Sequence, residues 1–465
     1  MAENASNPNS GAADSSAYRG YVLFMLIIVY TFNFVDRQII GILAIPIQED
    51  LNLSDTQLSL MGGLAFAIFY STLGIPIAWL SDRKNRTWII TIALAIWSLM
   101  TALCGVAQNF IQLFLARVGV GVGEAGGIAP SYSIISDYFP PEKRARALAI
   151  YSFAIPIGSA LGIGLGGLLT SLLDWRWAFI IVGLAGVIFA PIFKLSMREP
   201  VRGRYDPPTA KTEPASIQEV WTKISQKKSF WFLAFGAASS SMMGYGLFFW
   251  LPSFLVRSYG IDLAPLAGMF PSFLFPAGIT PAETLALASA GEEYNSAALT
   301  LYASYIYGGV VLFGGIIGIW LGGALGDRYG ANDKGAYARL PAIAFACVLP
   351  FFGLSLWLTN LGVVAVVMII PTALGLAWLG PVLSAFQHIV PPNMRATASA
   401  MFLLINNLLG LGFGNLAIGS LSDAFQPTFG DESLRYALLC CAGFYLLAAV
   451  LLYLGSRHLP KDWED

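Results

Sequence analysis

Charged residues are scarce in this sequence. Only 11% of its 465 residues are Asp, Glu, Lys or Arg, whereas 56% are hydrophobic. A water-soluble chain of this length would expose far more charge, so the composition excludes a soluble globular protein and indicates one that crosses a bilayer many times. The net charge of −1 gives no reason to expect a nucleic-acid partner.

Histidine and cysteine are also rare. Two histidines and no HExxH-like motif argue against an intramembrane enzyme, so we expect no enzymatic activity, cofactor or metal site. The four cysteines, at positions 104, 347, 440 and 441, all fall in apolar segments, which predicts small buried side chains and no disulfide. Residues 1–16 lack the apolar core of a cleaved signal peptide, and we expect a disordered cytoplasmic tail there.

Apolar windows of membrane-crossing length occur twelve times. Because about 20 helical residues cross the hydrocarbon layer, the sequence predicts an all-α membrane protein with twelve transmembrane helices. The predicted spans are residues 21–45, 56–79, 88–107, 110–133, 145–172, 177–195, 230–256, 298–325, 340–358, 361–387, 398–421 and 434–456.

The two halves of the chain repeat each other. WLSDR at 79–83 recurs as ALGDR at 324–328, and PPEKRA at 140–145 recurs as PPNMRA at 391–396. An offset of about 250 residues predicts two parallel six-helix bundles, at 17–195 and 230–457. Basic residues concentrate on the side that carries both chain ends, which predicts cytoplasmic termini, with the second tail at 458–465.

Two connections are long. Residues 196–229 contain Ile217, Val220, Trp221 and Ile224 at helical spacing with lysines nearby, which predicts an amphipathic helix at the cytoplasmic membrane surface. Residues 257–297, on the opposite side, are rich in Pro, Gly and Phe. They could form a lid or an irregular insertion.

Four charges lie inside predicted spans. Asp36 and Arg37 are adjacent in span one, and Arg117 and Glu124 are two helical turns apart in span four, so the latter two project from nearly the same face. Charged groups are unfavourable at this depth and mark functional positions. Asp36 and Arg117 lie at similar depth, which predicts a pair, and Arg37 could reach Glu124 or an anionic ligand.

Two interpretations of these charges remain. A static network would lock spans one and four together, although buried ion pairs contribute little net stability after desolvation. Alternatively, Asp36 or Glu124 exchanges a proton as its surroundings change, and both are therefore predicted proton-coupling residues. Arg37 and Arg117, with Glu124, are predicted to bind substrate, because a guanidinium forms two parallel bonds with phosphate or carboxylate.

Aromatic and small residues cluster near the predicted centre. Those of spans seven and eight could line a cavity or simply pack: Tyr245, Phe248, Phe249, Trp250, Tyr302, Tyr305 and Tyr307. We name Tyr245 and Phe249 as substrate contacts. The segment 158–162, GSALG, has the small-residue spacing of closely packed membrane helices.

These motifs resemble those of the major facilitator superfamily over essentially the whole chain. GALGDRYG at 323–330 matches the loop signature closely, whereas the copy after span two has Ala78 and Asn85 where glycines are usual. RVGVGVGEA at 117–125 resembles the span-four motif. Residues 158–167 resemble the antiporter signature, except that Ile163 replaces the usual proline, so symport and antiport both stay open.

Within the superfamily, FVDR at 34–37, GEA at 123–125 and SDYF at 136–139 resemble the spinster-like branch. That resemblance implies a carrier that moves a lysophospholipid or sphingosine-phosphate-like lipid with protons. The short termini predict a bacterial inner-membrane member, and we expect a monomer. Proton-coupled symport of small organic anions is the alternative, and a non-transporting sensor of the same fold is a third. The residues expected to close the cytoplasmic gate are Asp82, Arg83, Arg144, Asp327, Arg328 and Arg395.

Overall fold

The computed structural model describes residues 15–81, 83–202, 204–205, 216–293, 295–391 and 394–464. Regular structure in these residues is helical throughout, as the composition predicts. The predicted tail at 1–16 lies almost entirely outside them.

The first half of the chain contains six membrane-crossing segments, several of them interrupted. Span one is Ser16–Ile42, followed by the short helix Ala44–Leu51; span two comprises Asp55–Ser59, a π-helical turn at Leu60–Leu64, and Ala65–Ser81; span three is Arg86–Cys104; span four comprises Phe110–Glu124 and Ile128–Tyr138; span five comprises Pro141–Ser152 and Ala154–Leu172; span six is Trp175–Ser196.

The second half repeats this plan after the linker helix Ile217–Ser225. Span seven is Lys228–Tyr259; the following loop holds Gly260–Asp262, Leu263–Ala267, Ser272–Leu274 and Pro281–Ala290; span eight is Ser296–Gly330; span nine is Ala336–Trp357; span ten comprises Leu361–Leu376 and Leu379–Gln387; span eleven comprises Arg395–Asn407, a π-helical turn at Leu408–Phe413, and Gly414–Phe429; a turn at Gly430–Glu432 leads to span twelve, Ser433–Cys441 and Gly443–Asp462.

The helix count agrees with the sequence prediction. Eleven segments of the described chain are long and apolar enough to cross a membrane, and the last of them, Thr397–Asp462, reverses at Gly430, where φ is +54°. It therefore crosses twice, which gives twelve passes. The described chain begins and ends, at Ser15 and Glu464, on one face, here called the terminal face, and the loop after span seven lies on the other, here called the far face.

Polar caps mark where several helices begin. The side chains of Asn109, Asp174 and Asn360 each accept a hydrogen bond from the backbone N–H three residues ahead. Such caps satisfy N–H groups that the helix itself cannot pair. Spans four, six and ten therefore start at residues that the sequence specifies.

The outer surface of the bundle is apolar. Large side chains such as Phe24, Ile188, Phe313 and Val366 are more than half exposed, which suits contact with lipid tails. Two of the four cysteines, at 347 and 440, lie on this surface, so the prediction that all four are buried was wrong. In a bilayer an apolar position can face lipid as well as the protein core.

Close helix contacts occur where the sequence has glycine. A Cβ at Gly158 would lie 2.7 Å from the Phe34 Cβ, and one at Gly162 would lie 2.8 Å from the Val35 Cα. The predicted close-packing face of span five therefore contacts span one, directly beside Asp36. The absence of side chains there lets the two helices pack tightly.

The far-face loop packs against span eight. The Tyr302 hydroxyl donates to the Ile279 carbonyl at 2.8 Å and lies 2.7 Å from the Thr284 hydroxyl, and the Tyr305 hydroxyl donates to the Leu274 carbonyl. Tyr302 and Tyr305 thus anchor this loop instead of lining a central cavity. The loop has its own short helices, which argues against an irregular insertion.

Candidate functional site

Arg37 and Glu124 form a buried ion pair between spans one and four. The Arg37 Nε is 2.7 Å from the Glu124 Oε2, and the two side chains are 7% and 0% exposed. Glu124 is the last residue of the first helix of span four, before the break at 125–127. The contact that the sequence predicted as one possibility for Arg37 is therefore present.

Aromatic rings surround the Arg37 guanidinium. Its central carbon lies 4.5 Å from the ring centre of Tyr70, 4.8 Å from that of Phe66 and 5.3 Å from that of Phe34. Ring faces attract a cation, and this attraction strengthens away from water. The rings therefore hold the guanidinium in place beside Glu124 without supplying a second negative charge.

The predicted carboxylate pair between Asp36 and Arg117 is not formed. Both side chains are buried, but the Arg117 Nη1 donates to the backbone carbonyl of Asp36 at 3.4 Å, and neither Asp36 carboxylate oxygen makes a hydrogen bond in the described part of the chain. The side chain of Asp36 lies instead near Thr101 and Trp97 of span three. The pair was predicted because the two residues lie at similar depth in the membrane, but the Asp36 side chain is directed toward span three.

A small central cavity joins this charge cluster to the second half. Its first-half lining includes Arg37, Gln38, Gly62, Phe66 and Arg117; its second-half lining includes Tyr245, Phe248, Phe249, Leu411 and Asn415. The structure thus brings the predicted contacts Tyr245 and Phe249 to the same space as both arginines. Trp250 instead donates to the Asn415 carbonyl, and Tyr307 to that of Leu247.

The position of the Phe249 ring in this cavity depends on a glycine in the π-helical turn of span two. A Cβ at Gly62 would lie 2.1 Å from the Phe249 ring. Any side chain there would displace that ring, so glycine is what allows Phe249 to reach across from the other half. A matching π-helical turn, Leu408–Phe413, lies in span eleven, and such turns recur at functional sites.

The two halves are joined by polar contacts at the far face, here called the far-face latch: Gln48, Asp55, Thr56, Arg257, Ser422 and Asp423. Arg257 bonds both carboxylate oxygens of Asp55, at 2.9 and 2.8 Å, and Asp55 also accepts from Ser422. Asp423 accepts from the Asp55 and Thr56 N–H groups, where the helix dipole favours an anion. None of these contacts was predicted from sequence; the one signal for them is that Asp55 and Arg257 are charged residues at the ends of spans.

The predicted gate of the terminal face is not assembled among the residues described. Asp327 and Arg328 are exposed, and Arg83 donates to the Trp79 carbonyl of its own helix. Asp82 and the side chains of Arg144 and Arg395 lie outside the described part. The gate therefore stays a prediction for a different conformation.

A second buried network, also missed from sequence, fixes the terminal end of the first half. Arg86, 1% exposed, contacts Asp137 at 2.5 Å and Glu199 at 2.7 Å. Glu199 also accepts from the Thr87 N–H at 3.0 Å. The arrangement ties together the ends of spans three, four and six, so these helices are expected to move as one body.

Comparison with known proteins agrees with the twelve-pass helical fold. The Major Facilitator Superfamily model matches residues 26–415. An MFS-type efflux pump of Mycolicibacterium smegmatis is 31% identical, with 94% of this chain and 92% of the relative covered. Protein spinster homolog 1 of Xenopus tropicalis is 29% identical over 97% of this chain and 86% of its own. A crystal structure described as a bacterial homolog to the human lysosomal transporter Spinster, inward-facing and unoccupied, superposes with a TM-score of 0.80 at 30% identity, covering 97% of this chain and 99% of that one.

These matches identify the class and then the branch. The chain belongs to the major facilitator superfamily and is a transporter, not an enzyme. Within that class it is a transporter of the spinster type, as the motifs in spans one and four predicted.

Proposed function

We propose that this protein is a proton-coupled carrier of a lysolipid, such as a lysophospholipid or a sphingosine-phosphate-like molecule. The observation that carries the proposal is the position of Arg37 and Arg117 at one cavity with aromatic side chains from both halves. Guanidinium groups suit a phosphate head group, and the rings suit the first part of an acyl chain. The lipid class is what the resemblance of the span-one and span-four motifs to the spinster-like branch implies.

Proton coupling is assigned to Asp36 and Glu124. Asp36 is 1% exposed and Glu124 is 0% exposed. At such burial a charged carboxylate is stable only beside an opposite charge or hydrogen-bond donors. Protonation of Glu124 removes the charge that holds Arg37, and Arg37 then becomes available to the substrate anion. Proton binding and substrate binding are thereby linked through one guanidinium.

The conformational cycle proposed is alternating access between the two faces. The far-face latch joins the halves in this structure, while Asp327 and Arg328 on the terminal face are exposed. In the opposite state the latch opens, and Asp82, Arg83, Arg144, Asp327, Arg328 and Arg395 close the terminal face. The two six-helix bundles would rock about the central cavity.

The proposed setting is the bacterial inner membrane, with a monomer whose termini are both cytoplasmic. Basic side chains on the terminal face support this orientation, among them Arg83, Lys84, Lys194, Lys223 and Lys228. Positive residues are retained on the cytoplasmic side during insertion.

The test uses purified protein in proteoliposomes with an imposed pH gradient. Labelled lysophospholipid and a labelled small organic anion are followed in parallel. We expect gradient-dependent movement of the lysophospholipid and its loss in Glu124→Gln, with a melting temperature close to that of the wild type. Lysophospholipid transport at a rate independent of the pH gradient would refute proton coupling. Transport of the organic anion alone would refute the lipid substrate class.

The second candidate is proton-coupled transport of small organic anions, which the same two arginines could bind as carboxylates. The efflux-pump relative favours export as the direction for either substrate class. Absence of flux for both classes, with binding retained, would instead favour a substrate sensor of the same fold.

A further inference from the structure

Two donors on span three lie beside the Asp36 carboxylate. Trp97 and Thr101, both fully buried, direct the indole N–H and the hydroxyl toward it. In the described part of the chain neither oxygen of Asp36, nor the Trp97 Nε1, nor the Thr101 Oγ1 has a hydrogen-bond partner within normal distance. Four buried polar atoms left unsatisfied together are unfavourable, and a small shift of the carboxylate would pair them.

Glycines fix span three in this position. A Cβ at Gly123 would lie 2.5 Å from the Trp97 backbone nitrogen, and one at Gly183 would lie 2.4 Å from that of Ala102. Spans four and six therefore pack closely against span three from two sides. Since Trp97 and Thr101 are four residues apart, they share one helix face, and that face is turned to span one.

The same contact links the two acidic residues. Gly123, which touches the Trp97 backbone, directly precedes Glu124, and the outer ring of Trp97 approaches the position of Gly127. Span three thus contacts the helix that carries Glu124 with the same residue that faces Asp36. A rearrangement of span four at Glu124 would displace Trp97 relative to Asp36.

We propose that Trp97 and Thr101 are positioning residues of the proton-coupling site, which donate to Asp36 when its carboxylate is ionised and release it when it is neutral. This inference rests on the proposed function. The charged and titratable groups around Asp36 are Glu124 and Arg117 of span four, Arg37 of its own helix and Cys104 of span three. Arg117 donates from Nη1 to the Asp36 carbonyl and contributes its charge from nearby, but it makes no hydrogen bond to the carboxylate, so Trp97 and Thr101 are the groups placed to orient it.

The expected effect has a definite sign. Donors that bond the ionised carboxylate favour that form. Without them the site retains its proton to higher pH, so the midpoint of the pH profile of transport moves upward. Thr101→Val removes only the hydroxyl and Trp97→Phe removes the indole N–H, and each is expected to move the midpoint by about half to one pH unit.

The experiment measures this midpoint in proteoliposomes for wild type, Thr101→Val, Trp97→Phe and Thr101→Ser. Thr101→Ser keeps the hydroxyl and should therefore keep the wild-type pH profile. Thr91→Val is the matched control, since Thr91 is also buried on span three but donates to the Thr87 carbonyl of its own helix. Profiles of Thr101→Val and Trp97→Phe that coincide with that of the wild type would overturn the inference.

A second readout separates this inference from the proposed function and does not require transport. Infrared difference spectra between acidic and neutral pH are expected to contain the carboxylate bands of Asp36, which their loss in Asp36→Asn would assign. These bands should shift in Thr101→Val and stay in place in Thr91→Val. If the wild type shows no proton-driven flux, the proposed function fails while the band shift still decides whether Thr101 holds Asp36; unchanged bands would reject the inference.

Discussion

Arg257 of span seven holds Asp55 of span two through both of its terminal nitrogens. The two distances are 2.9 and 2.8 Å, and the side chains are 22% and 7% exposed. Gln48 and Ser422 complete the set of partners around this pair, one from each half of the protein. Among the residues that the structure describes, this ion pair connects the two halves of the protein, and it does so on the far face.

Breaking this pair should favour opening of the far face. Truncating one partner of a largely buried charge pair leaves the other without compensation, at about 2 kcal/mol or more. For Arg257→Gln we expect a larger fraction of molecules with a wide far face. The measurement is the distance distribution between spin labels at Val106 and Met269, which are 57% and 80% exposed on opposite halves of that face.

The matched control for this prediction is Arg176→Gln. Arg176 pairs with Asp50 at 2.5 Å and donates to the Ala107 carbonyl, all within the first half, so its loss should leave the contacts between the halves intact and the far face closed. The charge exchange Asp55→Arg with Arg257→Asp should return part of the short distance. Identical distributions in wild type and Arg257→Gln would show that the latch does not hold this face shut.

Arg37→Lys should weaken substrate binding more than it disturbs the fold. Lysine keeps the charge but lacks the planar fork and its stacking on Phe66 and Tyr70. We expect the KM for the lysolipid to rise by about tenfold or more, which corresponds to about 1.4 kcal/mol. Initial transport rates over a range of substrate concentrations measure it.

The control for Arg37→Lys is Glu432→Gln, which removes a partly exposed charge that pairs with Arg435 on the far face. Its KM should match that of the wild type. A normal KM in Arg37→Lys would mean that a point charge suffices at this position and that the bidentate role is wrong.

Gly162→Ala should destabilise the protein where Gly164→Ala does not. A Cβ at Gly162 meets the Val35 backbone at 2.8 Å, whereas one at Gly164 is 3.9 Å from the Tyr305 ring. Overpacking of this kind costs about 1 to 3 kcal/mol, so we expect a lower melting temperature for the first variant only. Equal melting temperatures in detergent would show that spans one and five can separate slightly without penalty.

The helical architecture could be predicted because each span can be recognised from its own stretch of sequence. Length and hydropathy define the crossings, and the repeated loops at 79–83 and 324–328 define the two halves. The deep charges were also identifiable, since an Asp, Glu or Arg in an apolar run stands out against its neighbours. Helical periodicity further indicated that Arg37 could face Glu124.

The partners of those charges could not be predicted with the same success. Depth along the helix suggested that Asp36 faces Arg117, but rotation of span one turns its carboxylate toward Trp97 and Thr101. Neutral residues such as these carry no signal in a sequence where tryptophan and threonine have many ordinary uses. The far-face latch was missed for a related reason: its residues come from separate helices, and only the packing of the halves brings them together.

The C-terminal tail offers a prediction about pH. The Glu464 carboxylate contacts the Lys227 ammonium at 2.6 Å and that of Lys223 at 3.0 Å, which binds the tail to the linker helix. Partial burial raises the pKa of Glu464, but hydrogen bonds from the two lysines outweigh it and hold the pKa below its usual value. A lowered pKa in the folded protein means that this contribution is present above the unfolded value of about 4.3 and is lost only as pH falls through the folded one.

The linker helix should therefore stay protected across the pH range in which a proton gradient acts. Hydrogen exchange of residues 217–225, corrected for intrinsic rates, should be equally slow at pH 7 and pH 5 in the wild type. Lys227→Gln should speed it at both values, because Lys227 also donates to the Ile389 and Asp462 carbonyls. Lys228→Gln is the adjacent control, since Lys228 is exposed and should leave protection unchanged. Faster exchange at pH 5 in the wild type would instead make the tail a pH-sensitive element, contrary to the low pKa of Glu464.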